Sequence, residues 1–230
     1  MWAFGIIFVA LGVAIAGKAN LGVSMIAAPV FVLHEWISAY VSFLSLGTIE
    51  YIFQGIMLII MCIIVKKFNW RYILAFAAAV IYGYTLDLFV FLLGSAPLTS
   101  LALRWVMLFL SDLSVAFGVA CCFRTYMPLQ VYELFVAEVA AKFNMIITKV
   151  KRYYDLTLLI VSILLALILF GDVAAFDRSK IASASFHNIG LGTIVTTFIN
   201  APLIALWTII LNKISGDAPL FPKLKKLIGR

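Results

Sequence analysis

Long apolar segments recur along the chain with very few charged residues inside them. A helix of about 20 apolar residues crosses the roughly 30 Å hydrocarbon core of a bilayer and satisfies its own backbone hydrogen bonds there. The pattern therefore predicts an all-α membrane protein with six transmembrane helices. The predicted spans are residues 2–18, 47–65, 72–94, 102–123, 154–171 and 189–212.

Two shorter helix-like segments, residues 23–38 and 128–143, lie between these spans and begin at Asn, Gly or Pro signals. Lysine and arginine in short loops stay on the cytoplasmic side, so their distribution tests whether these segments cross. If neither crosses, most of the 17 basic residues fall on one side, together with both termini. If both crossed, the basic residues at 142–152 would lie opposite those at 66–71. We therefore predict that the two short helices do not cross.

The spans divide into two related halves, residues 1–100 and 101–212, within a single membrane domain that ends in a basic tail at 213–230. Each half contains three spans, and an odd number of crossings gives the second half the opposite orientation, as in many transporters. We therefore predict two inverted three-helix repeats. Each has a short re-entrant helix, which enters from the outside in the first half and from the cytoplasm in the second. Interfacial amphipathic helices are the alternative for both segments.

Composition places the chain in lipid rather than in water. Hydrophobic residues make up 65% of it and charged residues 12%, against about a quarter charged in a soluble domain. The net charge of +7 does not indicate nucleic acid, because the basic residues flank apolar segments instead of alternating with aromatic residues on one face. Anionic lipid headgroups at the basic cytoplasmic loops and tail are the expected partners. We expect a multi-pass protein of the bacterial inner (plasma) membrane with both termini in the cytoplasm.

Motifs typical of enzymes and metal sites do not occur in the sequence. It contains no His-x-x-x-His pair, no Gly-x-Ser-x-Gly and no phosphate loop, so we expect no catalysis, cofactor or bound metal. Cys62, Cys121 and Cys122 fall in or at the end of apolar segments and are expected to be packing residues. Residues 1–17 lack a basic start and a small-residue cleavage site, which predicts a retained helix. Because the chain opens in apolar sequence, a longer natural N-terminus is compatible with it.

Four short motifs mark the chain: ANLGVS at 19–24, MPLQV at 127–131, YYD at 153–155 and IGLGT at 189–193. In this order and spacing they resemble the YczE/YyaS/YitT family of bacterial membrane proteins, and the resemblance covers nearly the whole chain. It implies a plasma-membrane protein of five or six helices with no established activity. The family usually carries acidic residues after the Ser of the first motif and the Pro of the second, where this chain has Ala27 or Ala28 and Gln130.

Polar side chains inside the predicted spans are candidates for a binding site, because a polar group in hydrocarbon is costly unless it faces a polar interior or a partner. Carboxylates occur in or beside several spans, and Gln54 takes the position in the first half that Asp155 takes in the second. Helix starts and a proline-marked break or kink in the sixth span offer unpaired N–H and C=O groups. The candidate substrate- or ion-binding residues are Asp87, Asp112, Asp155, Gln54, Asn200, Ser24, Asn20 and Gln130.

These candidates also have structural interpretations. Asp87 can be a carboxylate that only hydrogen-bonds a neighbouring helix, Asp155 and Gln54 can be interfacial positions, and the residues at helix starts can simply cap the short helices. Arg104 cannot pair directly with Asp112 on one helix, because eight residues rise about 12 Å. One partner would have to come from elsewhere in the bundle.

The inverted halves, broken helices and intramembrane carboxylates together favour a small secondary transporter or exporter of a low-molecular-weight solute. One alternative is a substrate-binding membrane subunit of an energy-coupling type transporter, and another is a non-transporting membrane partner or scaffold protein. So small a bundle is compatible with a homodimer. The sequence specifies no substrate, coupling ion or transport direction.

Overall fold

The structure, a computed structural model, describes residues 1–41, 43–94, 98–125, 130–171 and 187–215. Within these ranges the chain forms eight α-helices. They are α1 (Trp2–Ala19), α2 (Ala28–Ser38), α3 (Leu46–Val65), α4 (Arg71–Leu93), α5 (Leu101–Arg124), α6 (Val131–Phe143), α7 (Ile147–Phe170) and α8 (Leu191–Ser215). Six of them, α1, α3, α4, α5, α7 and α8, are long and apolar enough to cross a membrane. The prediction of an all-α, multi-pass membrane protein is confirmed.

Two predicted helix starts are wrong by several residues. Helix α7 begins at Ile147, because basic residues in its first turns interrupt the apolar pattern but not the helix. Helix α2 begins only at Ala28, because the chain before it is held in a non-helical conformation, where Val23 N–H donates to Asn188 O at 2.9 Å. Most of the predicted basic tail, residues 216–230, lies outside the described residues.

Helices α1 and α5 pack tightly and run antiparallel. Near the start of α1, a Cβ added to Gly5 would lie 2.8 Å from Gly118 O, late in α5, so glycine is needed for the contact. At the opposite end of the pair, Arg104 Nε, near the start of α5, donates to Ala19 O at 2.7 Å. Residues later in α1 therefore contact residues earlier in α5, which makes the two helices antiparallel.

Helices α5 and α8 run in the same direction. Near the middle of both helices, Ser111 and Asn200 line one cavity, and about two turns further along, the rings of Phe117 and Trp207 meet edge to face at 5.0 Å. The ends of α1 and α4 also coincide, since Lys18 Nζ donates to Leu93 O at 2.7 Å. Helices α1 and α4 thus share one direction, and α5 and α8 share another.

Helix α6 lies along α3 and runs in the same direction. At its start, Val131 N–H donates to Gln54 Oε1 at 3.2 Å, and near its end Lys142 Nζ donates to Ile64 O at 2.7 Å. The predicted start of this helix, at residue 128, lies outside the described residues. Helix α2 packs against α3 and α7.

Three basic side chains bind the C-terminal ends of neighbouring helices. Backbone carbonyls there lack partners within the helix and carry partial negative charge, so a cation is stabilising. Lys18 binds the end of α4, Arg104 the end of α1, and Lys142 the end of α3. Arg104 is therefore engaged with α1 and not with Asp112.

Large apolar side chains cover the outward faces of the long helices. Ile168 on α7 is 77% exposed, Phe198 on α8 is 75% exposed and Ile59 on α3 is 62% exposed. Small residues instead fill the contacts between helices, as the buried alanines of α1 and α5 show. Lipid permits this arrangement, because helices in a bilayer associate through close packing and not through removal of apolar surface from water.

We predict that Gly118→Ala weakens the α1–α5 contact. The added Cβ would lie 2.6 Å from Gly5 O, a backbone atom that cannot move without shifting α1. The expected loss in free energy of unfolding is about 1–3 kcal/mol, typical of overpacking, measurable by unfolding in detergent. Gly55→Ala is the control, because its Cβ would meet only the Phe76 ring, at 3.1 Å, and that side chain can shift. Equal stability of the two variants would contradict the prediction.

Candidate functional site

A small cavity lies between α1, α5, α8 and the segment that precedes α2, with a volume of about 20 Å³. Asp112 and Ser111 of α5, Asn200 and Thr196 of α8, and Ser24 form its polar wall. Valine and alanine side chains complete the lining. A cavity of this size holds one water molecule or a small bare ion. Three of the predicted candidates, Asp112, Asn200 and Ser24, therefore share one site.

Backbone contacts hold Ser24 in this wall. Val23 N–H donates to Asn188 O, and Gly192 N–H donates to Leu21 O, each at 2.9 Å. Gly22 has a φ of 116°, which favours glycine, and a Cβ there would lie 2.7 Å from the nearest backbone nitrogen of the opposing segment. The first and fourth sequence motifs thus pack directly on one another beside the cavity.

Asp112 is the acidic residue of the cavity. Its side chain lies deep in the bundle, since the residue is only 4% exposed, and no hydrogen bond joins it to the described residues. Across the cavity wall, Asn200 Oδ1 is also buried and has no hydrogen-bond partner among them. Buried acceptors without donors are costly, so this wall is complementary to a proton, a water molecule or a small cation.

Helix α8 continues through Pro202. Of the break or kink predicted beside Asn200, the break is therefore wrong: the proline removes one backbone hydrogen bond, but the helix extends on both sides of it. The carbonyl four residues earlier, that of Phe198, loses its usual N–H donor. The proline thus adds one more acceptor group to the half of α8 that carries Asn200.

Asp87, a residue of α4, lies away from the cavity, and its side chain contacts the start of α3. Its two oxygens accept hydrogen bonds of 2.6 Å from Ser45 Oγ and from Gly47 N–H. The helices approach closely here, since a Cβ on Gly47 would lie 2.0 Å from Gly83 O. Anionic groups stabilise a helix N-terminus. The structural interpretation of Asp87, a carboxylate that hydrogen-bonds a neighbouring helix, fits this geometry.

Gln54 belongs to a second buried polar group. Its Nε2 donates to Glu50 Oε1 at 3.0 Å, and Tyr132 OH donates to the same oxygen at 3.0 Å. Gln54 is fully buried, and Glu50 is 3% exposed. Glu50 and Tyr132 are not among the candidate residues predicted from the sequence. The spacing of Glu50 and Gln54, one helical turn apart in an apolar span, is the signal that could have identified the pair.

The remaining candidates have local partners or local roles. Asp155 Oδ1 lies 3.7 Å from Lys151 Nζ, one turn earlier in α7, but this oxygen is buried and has no hydrogen-bond partner among the described residues. Asn20 ends α1 in the left-handed conformation, with φ 49°, and its carbonyl accepts from Arg104. It therefore caps the end of α1 and does not start α2. Gln130 precedes the first residue of α6, and its side chain makes no capping hydrogen bond.

Within the described ranges, no group of three or more His, Cys, Asp or Glu residues is arranged to hold a metal ion. Cys121 and Cys122 are buried in the helix packing, and Cys62 is half-buried. The cavity beside Asp112 is the candidate functional site.

Two aspartates provide a matched comparison. Asp87→Asn weakens two short charge-assisted hydrogen bonds, so we expect the free energy of unfolding to fall by about 1–3 kcal/mol. Asp155→Asn removes an ion pair with a lysine whose side chain is 43% exposed, and it also removes the charge from a buried oxygen that has no hydrogen-bond partner among the described residues, so we expect a change below about 1 kcal/mol. Unfolding of both variants in the same detergent measures the difference. Similar losses would show that Asp87 does not stabilise the start of α3.

Comparison with known proteins gives one family. No curated protein and no solved structure matches the chain. A family of unknown function, DUF6198, matches residues 1–209. The match includes all eight helices up to the last turns of α8. The chain therefore belongs to the family of unknown function DUF6198.

Proposed function

We propose that the protein is a small secondary transporter or exporter of a low-molecular-weight solute, and that the cavity beside Asp112 is its ion- or substrate-binding site. The observation that carries the proposal is a carboxylate that is 4% exposed inside a membrane-spanning helix and faces a cavity instead of a partner. An ionisable group placed in this way is costly and typically marks an ion or substrate pathway. The cavity also lies between helices of the two halves.

An inverted repeat is part of the proposal, and the helix contacts support it. In an inverted repeat, each helix of the first half has a counterpart in the second: α5 for α1, α6 for α2, α7 for α3 and α8 for α4. When each helix is exchanged with its counterpart, three packed pairs map onto other packed pairs. The α1–α4 pair becomes α5–α8, the α3–α6 pair becomes α7–α2, and the α2–α3 pair becomes α6–α7. The α1–α5 pair maps onto itself. Because α1 and α5 are antiparallel, this exchange would relate one half to the other by inversion. The packing of α3 on α4 has no counterpart of similar extent between α7 and α8 among the described residues.

We infer that α2 and α6 do not cross the bilayer. They contain 11 and 13 residues, so at 1.5 Å per residue they are about 17 and 20 Å long, short of the roughly 30 Å core. Helix directions support this: α1 and α5 are antiparallel, as three crossings between their starts require, and α5 and α8 are parallel. Because α6 lies along α3 instead of across it, a re-entrant helix fits better than an interfacial one.

Contacts on both sides of the cavity suggest how access would alternate. Toward the start of α1, the Phe117 ring meets the Phe8 and Trp207 rings edge to face, with centroid distances of 4.8 Å to Phe8 and 5.0 Å to Trp207. At the other end, the chain before α2 is bonded to the start of α8. A solute larger than water requires one of these contacts to separate, and separating them in turn would expose Asp112 to one side at a time.

The proposed orientation places both termini in the cytoplasm of a bacterial inner membrane. Lys66 and Lys67 lie at the end of the bundle where α1 and α4 begin, which supports this orientation under the positive-inside rule. Lys18 and Arg104 lie at the opposite end, but each is bound to helix carbonyls, which offsets its charge.

The transport test uses purified protein in liposomes that carry an inside-acidic pH gradient, reported by a quenched amine dye. A panel of low-molecular-weight amines, amino acids and sugars is added outside, and a hit dissipates the gradient only when protein is present. We expect Asp112→Asn to abolish the response to every hit, because the side chain can no longer exchange a proton. Ser114→Ala is the control, since Ser114 lies on the same helix but donates to Phe8 O, outside the cavity lining.

Wild-type rates in Asp112→Asn would overturn the assignment of the site. If no compound dissipates the gradient with wild-type protein, coupled transport is not supported. The alternatives, a capture subunit of an energy-coupling transporter and a non-transporting partner, would then take its place.

A further inference from the structure

We propose that Glu50 is a second proton-binding site, separate from the cavity beside Asp112, and that its protonation state sets how firmly the start of α6 is held on α3. This inference goes beyond the proposed function. It depends on the contacts of a different group of residues, and it is tested without transport.

Glu50 is a buried carboxylate without a basic partner among the described residues. It accepts hydrogen bonds only from neutral donors, the Gln54 amide and the Tyr132 hydroxyl, and both reach the same oxygen, Oε1. A proton can therefore bind at Oε2 while these hydrogen bonds are kept. A buried anion that lacks a cation is costly, so exchange between the charged and neutral forms is the chemistry this setting favours.

The groups that face Glu50 reinforce this conclusion. Tyr82 of α4, Tyr132 and Glu133 of α6, and Tyr154 of α7 lie within electrostatic range of Glu50 or of one another. None of them supplies a positive charge. Tyr154 is 7% exposed, and its hydroxyl has no hydrogen-bond partner among the described residues. A buried donor without a partner among those residues thus lies within electrostatic range of the carboxylate.

Glu50 is connected to α6 through two side chains. Gln54 donates to Glu50 and accepts from the N–H of Val131, the first residue of α6. Tyr132, the second residue of α6, donates to Glu50 directly. Hydrogen bonds to an ionised carboxylate are roughly twice as strong as neutral ones, and a helix N-terminus is attracted to negative charge. The charged form of Glu50 therefore holds the start of α6, and the protonated form loosens it.

Infrared difference spectroscopy tests the proton site on the full chain in lipid nanodiscs. We expect a protonated-carboxyl C=O band that titrates with pH in the wild-type protein and in Asp112→Asn. In Glu50→Gln, an isosteric neutral variant, this band should be missing. Glu50→Gln is compared in the Asp112→Asn background, where Asp112 contributes no carboxyl band, and a titrating band that is unchanged there by Glu50→Gln would overturn the site.

Hydrogen–deuterium exchange tests the connection to α6. After correction for the intrinsic pH dependence of exchange, amides 131–135 of the wild-type protein should exchange roughly tenfold faster when Glu50 is protonated, the effect of weakening one or two hydrogen bonds. Glu50→Gln should exchange at the faster rate at every pH. Tyr132→Phe should also exchange faster but keep the titrating infrared band, which a purely structural role of Glu50 would not produce.

Exchange at 131–135 that is independent of pH in the wild-type protein would overturn the connection. Neither readout involves a transported solute, so failure of the transport test leaves this proposal standing, and its own failure leaves the assignment of Asp112 untouched.

Discussion

The close antiparallel contact of α1 and α5 is the constraint on which the other features of the fold depend. It requires backbone to approach backbone, which Gly5 and Gly118 permit at one end, while Arg104 fixes the other end to the last carbonyls of α1. Helix α5 then presents Asp112 toward α1 and α8, where the cavity forms. In the proposed inverted repeat, the same contact would set the relative direction of the two halves, because each would contribute its first helix to it.

The intramembrane carboxylates differ in what they contact, and their partners separate their roles. Asp87 has hydrogen bonds to both oxygens and stabilises the start of α3. Glu50 is bonded through one oxygen to groups that hold α6. Asp112 faces a cavity and has no partner among the described residues. In a solvent that cannot compensate a charge, a carboxylate with satisfied oxygens is a structural element, whereas an unsatisfied one that faces a cavity is available for binding.

Hydrophobic runs predicted the six long helices, because lipid demands long uninterrupted apolar helices. The start of α7 at Ile147 could not be found in this way, since basic residues there resemble a loop. Asp112, Asn200 and Ser24 were identified as candidates, but their meeting in one cavity depends on the packing of α1, α5 and α8. The Glu50–Tyr132 hydrogen bond joins residues 82 positions apart, which no local pattern reveals. The resemblance to the YczE/YyaS/YitT family stays a prediction beside the DUF6198 match.

The inverted arrangement of the two halves is the central claim, and it depends on whether α2 and α6 cross. Labelling with a membrane-impermeant maleimide tests it most directly, using single cysteines in a background without the native ones. Positions Asn20 and Tyr40 flank α2, and positions Phe123 and Asn144 flank α6. The account predicts that the members of each pair are labelled from the same side, and that the two pairs are labelled from opposite sides. If the two members of either pair were labelled from different sides of the membrane, the inverted arrangement would be contradicted.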